Sequence, residues 1–165
     1  MNMKSFLRDV FMDWIIDFFT NKFFITSVVA WTVAQVLKVF IHAFVTKTWD
    51  FSRLFGDGGM PSGHSATVSS FATICALSYG FGSFEFAISG LLAIIVCHDA
   101  MGVRREAGKH AKLLNILVDS FEKISKDELP EVVLKEFVGH TPLQVTTGIA
   151  LGIICALFMH FVVFA

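Results

Sequence analysis

Residues 61–101 read PSGHSATVSSFATICALSYGFGSFEFAISGLLAIIVCHDAM, and the architecture is decided there. Two apolar runs, 61–80 and 84–101, are parted only by the turn Gly80-Phe81-Gly82-Ser83. Crossing about 30 Å of hydrocarbon takes roughly 20 helical residues, so each run can span a bilayer. A connection this short makes the two spans an antiparallel hairpin. Further apolar runs lie at 23–44 and 142–164. The expected fold is therefore an all-α integral membrane bundle of about four transmembrane helices, in one domain over residues 1–165.

Composition agrees. The chain of 165 residues is 55% apolar and 16% charged, with 19 Phe against 1 Tyr, and its mean hydropathy is +0.68. Soluble domains carry about 25% charged residues. A net charge of −1 provides no basic field for a polyanion, which excludes nucleic acid as a partner. Cys75, Cys97 and Cys155 sit singly inside apolar runs and read as small buried hydrophobes.

Two segments are amphipathic. Phe6, Leu7, Val10, Phe11, Trp14, Ile15, Phe18 and Phe19 recur at helical spacing around Arg8, Asp9, Asp13 and Asp17. This predicts an interfacial helix over 1–20 and no cleavable signal. Val103, Ala107, Ala111, Leu114, Val118 and Phe121 alternate in the same way with Arg104, Arg105, Glu106, Lys109, Lys112 and Asp119. They predict an extramembrane helix over 102–124, on the spans or on the headgroups, within a helical insertion over 102–140. Asp127, Glu128 and Pro130 mark a break before a short helix leading to Gly139.

Nine of the 13 basic residues flank the loops 44–61 and 102–141, three lie at the opposite side, and Lys38 is inside the first run. The positive-inside rule then places both long loops in the cytoplasm, with the expected location the inner membrane. Ionisable groups within spans are costly and usually functional. Gln35, Lys38 and His42 share one helical face; Ser62, His64, Ser65 and Thr67 open the second run, and His98 and Asp99 close the third. The topology brings all of these to one end of the bundle. Snorkelling is the plain alternative for Lys38, and a structural role is the plain alternative for His42 and His98. His160 lies near the other end.

Two segments carry chemistry: Gly58-Gly59-Met60-Pro61-Ser62-Gly63-His64-Ser65-Ala66, and Gly139-His140-Thr141-Pro142-Leu143-Gln144-Val145 followed by Gly148 and Gly152. Each sets a histidine at a loop-to-helix junction, where backbone N–H groups form an anion site. Two imidazoles with Lys and Arg around them suit phosphoryl transfer: one attacks phosphorus, the other protonates the leaving oxygen, and cations hold the remaining charge.

These segments resemble the type 2 phosphatidic acid phosphatases, related to the acid phosphatases and vanadium-dependent haloperoxidases. Pro61-Ser62-Gly63-His64 matches the family's P-S-G-H motif, and His140-Thr141-Pro142-Leu143-Gln144-Val145 is similar to its H-x-P-x-D-V motif. The run 99–108 resembles the small divergent bacterial and plastid branch. The resemblance covers about residues 30–155. It implies His140 as the nucleophile and His64 as the general acid. It further implies that Ser62, Gly63, Lys38, Arg53 and either Arg104 or Arg105 bind phosphate. Helix phase favours Arg104, which flanks the apolar stripe, whereas Arg105 points nearly opposite. Arg104 and His110 also have the family's Arg-to-nucleophile spacing, but His110 is mid-helix without glycine or proline context.

Departures from the family pattern are specific. The early K-x6-R-P motif is absent, Leu134 stands where an arginine is usual, and Gln144 replaces the acid that orients the nucleophile. Asp99, or failing it Asp57 or Glu106, is the candidate for the missing charge; the other reading of Asp99 is an ion pair with Arg104. No histidine or acidic cluster has metal-ligand spacing, so neither metal nor cofactor is expected.

The expected activity is a lipid-phosphate phosphatase acting through a phosphohistidine, with phosphatidylglycerophosphate as first substrate and phosphatidate or a polyprenyl phosphate or diphosphate as alternatives. A catalytically silent relative that binds or translocates an anionic lipid is the second class, and a purely structural membrane subunit the third. The phenylalanine-rich lipid face suits a monomer or a homo-oligomer.

Overall fold

A computed structural model describes residues 3–54, 58–125, 134 and 139–165, and leaves aside the side chains of 3–10, 52, 53 and 122–125. Among the described residues there are six α-helices and no strand. Helix α1 (Met3–Thr20) gives way to α2 (Lys22–Thr46) at Asn21, whose side chain accepts from Phe23 and Phe24 N–H at 3.0 and 3.2 Å and so caps the first apolar helix. A short 3₁₀ turn, Phe51–Leu54, packs beside α2. Ser62 caps α3 (Gly63–Tyr79), and Ser83 caps α4 (Phe84–Met101) by accepting from Phe86 N–H at 3.1 Å. Helix α5 (Val103–Ser125) follows after Gly102 alone, and α6 (Pro142–Phe158) runs into a π turn at Met159–Val163.

Helix α3 is the axle: α2, α4 and α6 all pack against it. Its faces are lined with small residues, so the helices approach closely, as membrane helices do where no hydrophobic effect drives them together. A Cβ at Gly148 of α6 would stand 3.0 Å from Ser65 Cβ, and one at Gly152 would overlap Ser69 and the Ala66 carbonyl. Across the same seam, Ser69 Oγ donates to the Ile149 carbonyl at 3.3 Å. The interior holds Ala30, Ala34, Ala66, Ile74 and Val145, while Phe40, Phe44, Ile94, Ile154 and Phe161 face outward. That inversion suits a bundle solvated by lipid.

Among the described residues, three helices are long and apolar enough to cross a membrane: Lys22–Thr46, the continuous run Phe84–Phe121, and Pro142–Val163. The second expected span is a helix of 17 residues rich in Ser and Thr, about 25 Å long at 1.5 Å per residue. It runs beside residues 23–35 of α2. Gly63 lies against Trp31 and Gln35, while Tyr79 stacks on Phe23 at 5.3 Å.

The expected extramembrane helix over 102–124 is α5, but its apolar stripe is not laid against the spans. Gly108 is buried and Ala111 and Asn115 are half-buried, so α5 meets the rest of the chain along the edge of the stripe. Asn115 exchanges two hydrogen bonds with the backbone of Leu134, at 3.0 and 3.1 Å. Val103, Leu114, Leu117 and Phe121 stay exposed. The short helix expected before Gly139 lies outside the described residues.

Candidate active site

The two histidine motifs meet because the starts of α3 and α6 are tied together: Ser62 N–H donates to the Gln144 carbonyl at 2.9 Å. The His64 and His140 rings stand 6.4 Å apart between centroids, inclined at 59°. His64 is exposed, whereas His140 is only 2% exposed.

Each part of the His140 loop has a local cause. Thr141 and Gln144 form a reciprocal capping box, with Pro142 in the first turn, where its missing N–H costs nothing. Thr141 N–H donates to Gln144 Oε1 at 2.9 Å, which fixes the amide with its oxygen toward the loop. The same oxygen lies 3.3 Å from His140 Nδ1. With its proton on Nδ1, the ring donates to that oxygen. The backbone N–H of His140 donates to the Ala100 carbonyl at 2.9 Å, anchoring the loop to the end of α4.

Gly139 has φ +90°, and a Cβ there would collide with the backbone of Arg104 and Arg105. Only glycine permits both the left-handed conformation and that approach. This contact joins the start of α5 to the His140 loop, and no local sequence pattern announces it beyond the glycine itself.

Around the imidazoles, Ser62 is fully buried and its Oγ accepts from Ser65 N–H at 3.3 Å and from Ser65 Oγ at 3.0 Å, which leaves its own O–H as a donor. Gly63 opens α3, where the helix dipole and amide N–H groups favour an anion. Lys38 is 4% exposed, so it is held within the bundle and does not snorkel to the surface. Its Cγ and Cδ lie 3.8 Å from the point a Cβ on Gly59 would occupy, so its stem rests on the loop leading to Pro61.

Arg53 belongs to the 3₁₀ turn beside α2, and its side chain lies outside the described residues, as does Asp57. Arg104 Nε donates to Asp99 Oδ2 at 2.7 Å, so Asp99 takes the ion-pair arrangement. Arg105 is exposed, and Glu106 pairs with Lys109 at 2.6 Å on the outer face of α5. His42 faces Thr46 Oγ1 at 3.3 Å, His98 and His110 are exposed, and His160 stacks edge-on with Phe161. No group of three or more His, Cys, Asp or Glu is gathered for a metal among the described residues.

The chain is thus an integral membrane protein with two histidine motifs brought together where α3 and α6 begin. It belongs to the divergent PAP2 family, whose model matches residues 19–155 and so takes in both histidine motifs and α5. It is 38% identical over 151 residues to the uncharacterized membrane protein YuiD of Bacillus subtilis (strain 168), covering 86% of this chain and 96% of that one. No solved structure matches it.

Proposed function

We propose that the protein is a metal-independent lipid-phosphate phosphatase, with phosphatidylglycerophosphate as its substrate. The observation that carries this reading is the apposition of His64 and His140, 76 positions apart in the chain yet 6.4 Å between ring centroids. His140 Nε2 attacks phosphorus, and an N–P bond forms as the P–O ester bond breaks. His64 gives its proton to the leaving alkoxide, then takes one from the water that hydrolyses the phosphohistidine to inorganic phosphate. Lys38, Arg53, the Gly63 amide, the Ser62 hydroxyl and the arginines at the start of α5 bind the phosphate oxygens, whose charge needs fixed donors in the transition state. Gln144 orients the nucleophile; Asp99 acts one step further out, holding Arg104.

In this reading α3 is the fourth transmembrane helix, supported by its alignment with residues 23–35 of α2. The exposed Phe11, Trp14, Phe18 and Phe19 support α1 as an interfacial helix. The excess of basic residues in the loops on the active-site side supports a cytoplasmic site in the inner membrane. Phosphatidate and polyprenyl phosphates or diphosphates fit the same chemistry.

Gln144 favours one other reading. An amide orients an imidazole but does not stabilise its positive charge as a carboxylate does. A silent relative that binds or moves an anionic lipid follows from that.

Purified protein in detergent, without added metal, is expected to release inorganic phosphate from short-chain phosphatidylglycerophosphate. His140→Ala should abolish release with the helical circular dichroism unchanged. Equal release by the variant would move the nucleophile elsewhere, and lipid binding without release by the native chain would favour the silent relative.

A further inference from the structure

Gln35 stands one turn before Lys38 on the same face of α2 and is 7% exposed. Its Oε1 is fully buried and has no hydrogen-bond partner among the described residues. Burying an acceptor unpaired is costly, and native proteins rarely do so without a reason. The oxygen lies 3.7 Å from the point a Cβ on Gly63 would occupy, with Trp31 Cδ1 3.5 Å from that same point. It is therefore aimed at the start of α3, where the phosphate-binding groups gather.

The chemistry of its neighbours is one-sided. The Lys38 ammonium, the Gly63 amide and the Ser62 hydroxyl all donate. A phosphomonoester dianion offers acceptors only, which satisfies those donors and does nothing for an amide oxygen. Trp31 Nε1 lies 3.7 Å from the same Gly63 point but makes no hydrogen bond to this oxygen, and a hydroxyl on another part of the ligand would supply the donor.

We propose that Gln35 is a specificity-determining residue that accepts a hydrogen bond from a headgroup hydroxyl near the phosphate. The site then prefers hydroxyl-bearing lipid phosphates, such as a phosphorylated glycerol headgroup, over lipids whose phosphate sits directly on an otherwise hydroxyl-free alcohol. The proposal rests on the phosphatase reading and deepens it. A site built to pair with a substrate hydroxyl rejects the analogue without it far more strongly than an apolar pocket does.

The test compares phosphatidylglycerophosphate with phosphatidate of the same acyl chains, in mixed micelles, for the full chain and for Gln35→Met. Native protein is expected to show the higher kcat/KM for the hydroxyl-bearing lipid. Gln35→Met should lower that value by about 10-fold, the scale of one lost hydrogen bond, and leave phosphatidate within about 3-fold. Its melting temperature should hold or rise, because a similarly sized apolar side chain removes an unsatisfied acceptor. Equal losses on both lipids with a lower melting temperature would make Gln35 structural and overturn the proposal. A shifted pH–rate profile for both lipids would assign the donor to the phosphate's own proton, with the same result. Native protein that turns over both lipids equally defeats this inference alone, whereas release from neither lipid defeats the phosphatase reading and this one with it.

Discussion

The proposed site draws its cations from two regions that are built in different ways. Lys38 stands on α2 inside the bundle, 4% exposed, with its stem against the Gly59 turn. Arg104 and Arg105 stand on α5, in solvent, positioned by the Gly139 contact and the Asp99 pair. A charge fixed in a dry interior acts strongly on a nearby anion, whereas one in water is screened by solvent and salt. One edge is thus set by the packing of the whole bundle, and the other by a single backbone approach. The difference predicts that the lysine edge supplies transition-state stabilisation and the arginine edge supplies adjustment.

The largest effect is expected at the buried edge. Lys38→Met should lower kcat about 10²–10³-fold, the scale of losing one preorganised donor in a water-poor site. The loss should be nearly independent of salt; a strong salt dependence would place Lys38 in solvent-like surroundings and erase the contrast. A smaller effect is expected from Gly139→Ala, which must relieve both the φ of +90° and the overlap with Arg105. Strain of this kind costs roughly 1–3 kcal/mol. Here it should appear as a fall in phosphate release of about 10-fold, since 1.36 kcal/mol is tenfold in rate. The melting temperature should barely change, because α2, α3, α4 and α6 pack together without Gly139. Full activity in that variant would show that α5 need not touch the His140 loop. The smallest effect is expected from Asp99→Asn. Its partner is 47% exposed and it is itself 40% exposed, and exposed pairs contribute about 0–1 kcal/mol. Activity should stay within about 3-fold on that scale; a loss as large as that of Lys38→Met would give Asp99 a direct part in the chemistry.

The same contrast explains what could be read from the sequence. Elements governed by local rules were legible. The Gly80–Ser83 turn forces a hairpin, Ser62 opens the second apolar run, and Gly139-His140-Thr141-Pro142 marks a loop-to-helix junction. The meeting of His64 with His140 followed from topology, since the starts of α3 and α6 share one end of the bundle. Features set by tertiary contact were not legible. Periodicity revealed the stripe of α5 but not which side would be covered, and the structure covers its edge at Gly108 and Asn115 instead of its centre. The Gly139–Arg105 approach joins segments 34 positions apart and leaves no periodic trace. Gln35 was visible as a companion of Lys38, yet its unpaired oxygen exists only in three dimensions. The Ser and Thr content of α3 goes with its place among three other helices.

The central claim is that His140 takes the phosphoryl group while His64 faces it. Rapid acid-free denaturation during turnover of a lipid substrate labelled in its terminal phosphate, followed by peptide mapping, tests it most directly. An acid-labile, base-stable label is expected on the peptide carrying His140, accumulating in His64→Ala and absent from His140→Ala. Label on another residue, or turnover with no label in any variant under conditions that preserve phosphohistidine, would contradict it.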